Sequence, residues 1–208
     1  MTVLISIFLV FIVLVINEFI YRKKTVHGEI SRKVIHIVVG SFAAFWPFFL
    51  SWDSIRFLSI SFLVVVLISK RINFFRSIHS VGRSTIGEVF FAISVGGVSL
   101  LVQNKWIYLI ALLEMSLADG LAAMIGYNLK VGKKYRVFGH NKSLAGTLTF
   151  FIVSVILLTI YTKYTHGNLL NPLIPIYALI ATFLENISVG GLDNLTIPFF
   201  ITLVLKFF

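Results

Sequence analysis

The sequence predicts an all-α, polytopic membrane protein. It reads as a single domain, residues 1–208, of about eight transmembrane helices (seven if the short last segment does not cross), with both termini outside. Three observations carry this. The first is composition: 58% of the 208 residues are hydrophobic, only 12% are charged, and the mean hydropathy is +0.98. A soluble domain is nearer one half apolar and one quarter charged, so a soluble globule is excluded, as is a disordered chain. The second is a series of apolar runs, each near the length of a membrane span. The third is a strong alternation of basic residues between the loops that join those runs. A span takes ~20 apolar residues, which leaves no room for a separate soluble catalytic domain. Any chemistry must sit in short loops and helix ends. The chain has no cysteine, so disulfides, thiolate metal sites and cysteine nucleophiles are excluded. A net charge of +10 on so few charged residues points to an anionic partner, phosphates or lipid headgroups. No nucleic-acid partner is expected.

The apolar runs cover residues 3–21, 34–50, 55–69, 89–102, 106–127, 147–161, 169–184 and 196–208. The first is too long for a signal peptide and has no small-residue cleavage site, so it reads as a span. Basic residues cluster after the first segment (Arg22, Lys23, Lys24, Arg32, Lys33), after the third (Lys70, Arg71, Arg76, Arg83) and after the fifth (Lys130, Lys133, Lys134, Arg136, Lys142). These are fourteen of the 18 Lys and Arg residues. The positive-inside rule makes those loops cytoplasmic. Only Arg56, Lys105, Lys163 and Lys206 fall on the other side, where Trp52 and Trp106 occupy belt positions. The 21 phenylalanines read chiefly as lipid-facing bulk.

With this topology the second, fourth, sixth and eighth segments all begin on the cytoplasmic side. Their N-termini bring free backbone N–H groups and positive dipole ends to one compartment, which favours an anion there. The second opens on Ser31-Arg32-Lys33, with Arg32, His36 and Gly40 on one helical face. The two cations serve as topology signals or as anion ligands; His36, ionisable at membrane depth, is a functional candidate. Before the fourth segment, Thr85 and Glu88 fit a capping box, which leaves Arg83 unexplained. Before the sixth, Ser143 is a cap, Lys142 can reach an anion at that helix end, and Gly146 permits close approach of a ligand or a backbone. No strand is expected ahead of it and the upstream glycines of a P-loop are missing, so a Walker A site is rejected. Before the eighth, Asp193, Asn194 or Thr196 can cap, with Pro198 in the first turn.

The fifth segment differs. It carries Glu114 and Asp119 inside an apolar run, at about 2.5–3.5 kcal/mol each on insertion scales. Such carboxylates call for a basic partner, a metal or a polar cavity. Oxygen ligands suit Mg²⁺, which takes one or two carboxylates plus substrate phosphates; Asp119 is the metal candidate, with Glu88 or Asp193 as its companion. Ala118, Ala122 and Gly126 form a small-residue packing stripe. The segment from Arg71 to Arg83 reads as an interfacial amphipathic connector.

Taken in order, R-K-x-x-H-x-x-x-G (Arg32 to Gly40), S-T-x-G-E (Ser84 to Glu88), A-D-x-x-A-x-x-x-G (Ala118 to Gly126), K-S-x-x-G (Lys142 to Gly146) and D-N-L-T-x-P (Asp193 to Pro198) resemble the CTP-dependent lipid-alcohol kinases: dolichol kinases, phytol and farnesol kinases, and CTP-dependent diacylglycerol kinases. The resemblance spans residues 31–198. Many members have Gly where this chain has Ala118. It implies transfer of the CTP γ-phosphoryl group to a long-chain membrane alcohol, with Mg²⁺, at the cytoplasmic face of the cell membrane. It implies nucleotide-binding roles for Arg32, Lys33, Arg83, Lys142, Ser143, Gly146 and Asn194, metal-binding roles for Asp119 and Glu88, and a catalytic base among Asp193, His36 and Asp119. Phosphoryl transfer needs positioning and charge neutralisation above all, which the basic helix ends supply. Two rivals are a cytidylyltransferase that makes CDP-lipids, whose extra acidic residues are not found here, and a small transporter using Glu114 and Asp119. The alcohol and the oligomeric state stay open.

Overall fold

A computed structural model describes residues 1–23, 28–72, 86–128, 133–167 and 171–207. The helices are α1 (Thr2–Arg22), α2 (Gly28–Ala44), α3 (Trp52–Ile72), α4 (Gly87–Leu101), α5 (Lys105–Leu113), α6 (Asp119–Asn128), α7 (Leu144–His166), α8 (Leu173–Ile187) and α9 (Asp193–Lys206). A π-helical turn, Glu114–Ala118, joins α5 to α6 in one continuous rod. Among the described residues four helical stretches are long and apolar enough to cross a bilayer: Thr2–Arg22, Trp52–Ser69, Lys105–Tyr127 and Leu144–Thr165. Gly87–Leu101 and Leu173–Ile187 are apolar but shorter.

Among the described residues the architecture is all-helical with one exception. Lys134–Val137 (β1) and His140–Ser143 (β2) pair antiparallel around a turn at Phe138-Gly139. Both turn residues have positive φ, +47° and +79°, the conformation that two-residue hairpins with the sheet's own twist require. The expectation that no strand precedes the sixth segment is thereby corrected: β2 runs directly into α7. Alternation of Tyr135 and Val137 with charged neighbours over four residues is too short a pattern to separate strand from loop. The P-loop remains rejected for want of a glycine cradle.

The rod α5–α6 is the centre of the bundle: 61% of an 18-residue apolar stretch within Lys105–Tyr127 is buried, against 22% of the corresponding stretch of α1. Tyr108, Ile110, Leu112 and Met115 on it pack with Phe150, Leu158, Ala178, Ile197 and Ile201 from α7, α8 and α9. Around this core, the outer faces of α1, α3, α7 and α8 expose Phe8, Phe11, Phe57, Ile60, Ile152, Ile156, Leu179 and Phe183. A water-soluble protein does not expose aliphatic and aromatic side chains on this scale; a lipid-embedded one must. At one end of the bundle Trp106 stacks on Tyr164 at 5.6 Å and meets Phe48 edge-on at 5.4 Å, and Trp52 meets Tyr108 edge-on at 5.6 Å. The polar residues gather at the other end of the rod.

Close backbone approaches fix that polar end. Gly146 of α7 has no room for a side chain: a Cβ would lie 2.9 Å from the Ala122 carbonyl oxygen. Ala122 and Gly126 therefore pack α6 on α7, as the small-residue stripe anticipates. Gly191, at φ +93°, lies against the backbone of Gly87, and the Ile86 N–H donates to the Gly190 carbonyl at 3.2 Å. The turn before α9 is thus docked on the start of α4.

Candidate active site

Asp119 opens α6 at the end of the π-helical turn and is 3% exposed. A π turn inserts an extra residue into the helical register, and here the residue that follows faces α2. The Lys33 ammonium donates to Asp119 Oδ2 at 2.5 Å, with both side chains buried. His36, one turn along α2, has Nε2 3.5 Å from the same oxygen and 2.9 Å from the Met115 carbonyl. A carbonyl only accepts, so Nε2–H donates to it, and in the neutral ring Nδ1 keeps the lone pair. Gly40 completes this face: a Cβ there would collide with Ser116 of the π turn.

A second ion pair lies beside the first. The Lys142 ammonium on β2 bonds the Glu185 carboxylate near the end of α8, and donates to the Glu185 carbonyl at 3.0 Å. Lys142 is within electrostatic reach of Asp119, and Asp193 at the start of α9 interacts with Asp119, Lys33, Lys142 and Glu185. Five chain segments, distant in sequence, thus bring three carboxylates and two ammonium groups to one end of the bundle. Breaking a buried pair by removing one partner typically costs ~3–5 kcal/mol, so each of these charges holds its neighbour in place.

Not all predicted site residues behave as expected. Arg83, with Thr85 and the amphipathic connector, lies outside the described residues. The N-cap of α4 is Ile86, with Glu88 in the first turn; the expected capping box rests on Thr85 and so lies outside the described residues. The N-cap of α9 is Leu192; Asp193 instead sits within the helix and accepts from the Asn194 N–H at 2.9 Å. Asn194 is a tie between helices: its Nδ2 donates to the Gly87 carbonyl at 2.9 Å, and its carbonyl accepts from the Ser94 hydroxyl at 2.6 Å. Ser143 does cap α7, accepting from the Gly146 N–H at 3.1 Å. The second helix begins at Gly28, one turn early, so Arg32 and Lys33 stand inside it. Ser31 there donates to Asn17 of α1 at 3.0 Å. Glu88 lines a cleft together with Arg32 and His36.

Sequence reasoning missed Glu185 as the partner of Lys142. A signal existed, since a carboxylate in the last turn of a helix opposes the dipole and calls for a cation. It also missed Tyr135, whose hydroxyl bonds Thr147 and Asn186 and pins the hairpin to α7 and α8.

Among the described residues no three His, Asp or Glu groups converge tightly enough to form an all-protein metal site. Mg²⁺ does not need one, being held by one or two carboxylates and substrate phosphates. Asp119 and Asp193, mutually interacting and balanced by two lysines, fit that requirement.

Over 192 residues the chain is 32% identical to a phytol kinase of Synechocystis sp., a match covering 87% of this chain and 80% of the relative. The chain belongs to the CTP-dependent lipid-alcohol kinase family. An uncharacterised protein of Methanocaldococcus jannaschii is 28% identical over 193 residues, covering 86% of this chain and 93% of that one. No family profile and no solved structure matches. In this lipid-alcohol kinase family member, motif residues from α2, α6, β2 and α9 meet at the polar end; those of α4 and α7 are held there by backbone packing.

Proposed function

We propose that this protein transfers the γ-phosphoryl group of CTP to the hydroxyl of a membrane lipid alcohol, at the cytoplasmic face of an eight-span membrane domain with both termini outside. The observation that supports it best is the convergence of the Lys33–Asp119 and Lys142–Glu185 pairs with Asp193, in a chain related to a phytol kinase. The bias of fourteen of 18 basic residues to one set of loops supports the cytoplasmic placement.

On this reading Lys33, Lys142 and Arg32 bind the triphosphate oxygens, the two lysines exchanging their carboxylate partners for phosphate. Asp119 and Asp193 hold Mg²⁺, which neutralises charge on the phosphates. The alcohol oxygen bonds to the γ-phosphorus, the bond from that phosphorus to the β,γ-bridging oxygen breaks, and CDP departs with the electron pair. His36 takes the hydroxyl proton at Nδ1, the nitrogen left with a lone pair by the bond to Met115. The His36 ring lies 3.5 Å from the Asp119 carboxylate, which supports this role.

The deciding experiment supplies purified protein with Mg²⁺, a panel of prenols, diacylglycerol and phosphatidate, and CTP labelled at the α or γ position. The expected result is γ-label, and no α-label, in the organic phase when an alcohol is present. Label from the α position alone, and only with phosphatidate, would make the protein a cytidylyltransferase; transfer of neither would point to the transporter.

A further inference from the structure

Glu114 takes no part in the chemistry described so far, yet it puts a carboxyl group in the core of the bundle. It is fully buried, as is Ser154 of α7. The Ser154 hydroxyl donates to Glu114 Oε1 at 2.9 Å. Oε2 is buried and meets no hydrogen-bond partner among the described residues, and no cation among them pairs with the group. An aliphatic side chain would avoid the orphaned oxygen, so packing alone does not account for the carboxyl. Its place in the chain does. Glu114 opens the π turn, and its backbone carbonyl accepts from the Asp119 N–H five residues on, a donor shared with the Ser116 carbonyl. The five-residue bond is what distinguishes a π turn from an α-helix. The next two residues of the turn are gripped by α2: the Met115 carbonyl accepts from His36 at 2.9 Å, and Ser116 lies against Gly40. The turn is thus held between α2 and, through Glu114, α7. Each residue of an α-helix turns the chain by about 100°. Relaxation of the turn to α geometry would shift the register by one residue and swing Asp119 away from Lys33 and His36.

We propose that Glu114 is a positioning residue for Asp119: its hydrogen bond with Ser154 locks the π turn, and the locked turn aims the Asp119 carboxylate to where metal and phosphates bind. The proposal rests on the kinase reading and deepens it. Glu114 acts through its hydrogen bond and not through charge, so glutamine serves in its place and leucine does not. It touches neither nucleotide nor alcohol. Its effect reaches the reaction only through Asp119, with which it shares a backbone bond.

The test uses the full-length protein in lipid nanodiscs and two readouts. One is turnover of γ-labelled CTP as Mg²⁺ is varied. The other needs no turnover: binding of Mn²⁺–CTP, followed by the enhanced relaxation of water protons. Glu114→Leu and Ser154→Ala each remove the bond. Both are expected to raise the half-saturating Mg²⁺ concentration about tenfold, to weaken Mn²⁺–CTP binding by a similar factor, and to leave KM for the alcohol within about twofold. Glu114→Gln keeps an oxygen that accepts from Ser154 and should stay within about threefold of wild type in both readouts. In an Asp119→Asn background, Glu114→Leu should weaken binding no further, as expected of two residues that act as one. A merely structural loss lowers the amount of active protein and leaves half-saturation points where they were. Should Glu114→Leu fail to insert, Ser154→Ala, which deletes one oxygen, carries the same expectation. Wild-type metal dependence in Ser154→Ala would overturn the proposal, as would a shift in Glu114→Gln equal to that in Glu114→Leu. Wild-type protein that binds Mn²⁺–CTP but transfers no γ-label to any alcohol would overturn the kinase reading instead, and the relaxation measurements then decide the positioning role alone.

Discussion

At the scale of single residues, the buried ion pair between Lys33 and Asp119 carries the most weight. Both side chains are desolvated and meet at 2.5 Å, so removing either strands a charge. Asp119→Asn is expected to lower Mg²⁺-dependent turnover at least about a hundredfold and to destabilise the folded protein by ~3–5 kcal/mol. Adding Lys33→Met removes the stranded ammonium. The double variant should recover most of the lost thermal stability in detergent and none of the activity. Recovery of both would make the pair merely structural. Lys142 is different, because it sits on a hairpin at the edge of the site and is less buried than Lys33. Lys142→Ala should raise the apparent KM for nucleotide more than that for lipid, as expected of a phosphate ligand. Equal effects on both substrates, tracking a fall in stability, would assign Lys142 to holding Glu185.

At the scale of elements, the site depends on two devices: the π turn that presents Asp119 to α2, and the contact of α6 with α7. The second is the more open to test. A Cβ at Gly126 would lie 2.7 Å from the Ser143 hydroxyl and 3.6 Å from the Gly146 Cα. Gly126→Val should therefore push α7 and its cap away from α6. The expected cost is ~1–3 kcal/mol, typical of overpacking, read as a lower unfolding temperature, with activity falling because Lys142 precedes that cap by one residue. Wild-type stability in this variant would show that the helices can separate freely there. The start of α4 at Gly87 is docked on Gly190 and Gly191, a contact between segments about 100 residues apart that no local pattern announces.

At the scale of the whole molecule, charge and apolarity are segregated. One end of the bundle holds the aromatic contacts of Trp52, Trp106 and Tyr164, and the other holds the buried ion pairs Lys33–Asp119 and Lys142–Glu185. Because the chain has no cysteine, orientation can be tested without background. Cysteines introduced singly at Lys24, Arg76 and Lys134 should be shielded from an impermeant thiol reagent in intact cells, and one at Lys105 or Lys163 should be labelled. Labelling of the first three from outside would put the nucleotide side away from CTP and sink the proposed orientation.

The amino-acid sequence by itself determined the class of the protein, because apolar content and basic-residue placement act through the bilayer and need no knowledge of contacts. It also singled out the residues of the candidate site: Arg32, Lys33, His36, Asp119, Lys142 and Asp193 stand out as polar groups where an apolar chain tolerates them only for a reason. What it left open is who meets whom. Lys33 and Asp119 are 86 residues apart, and Lys142 and Glu185 are 43 apart. Helical periodicity reports which face a residue lies on, and is silent on which helix lies opposite. The tie of Asn194 to Gly87, and the place of Glu88 in a cleft with Arg32 and His36, follow from the same cause. Packing of the helices against one another chooses a partner for each polar group, and that choice is made by shape and burial across the whole bundle, which no local pattern encodes.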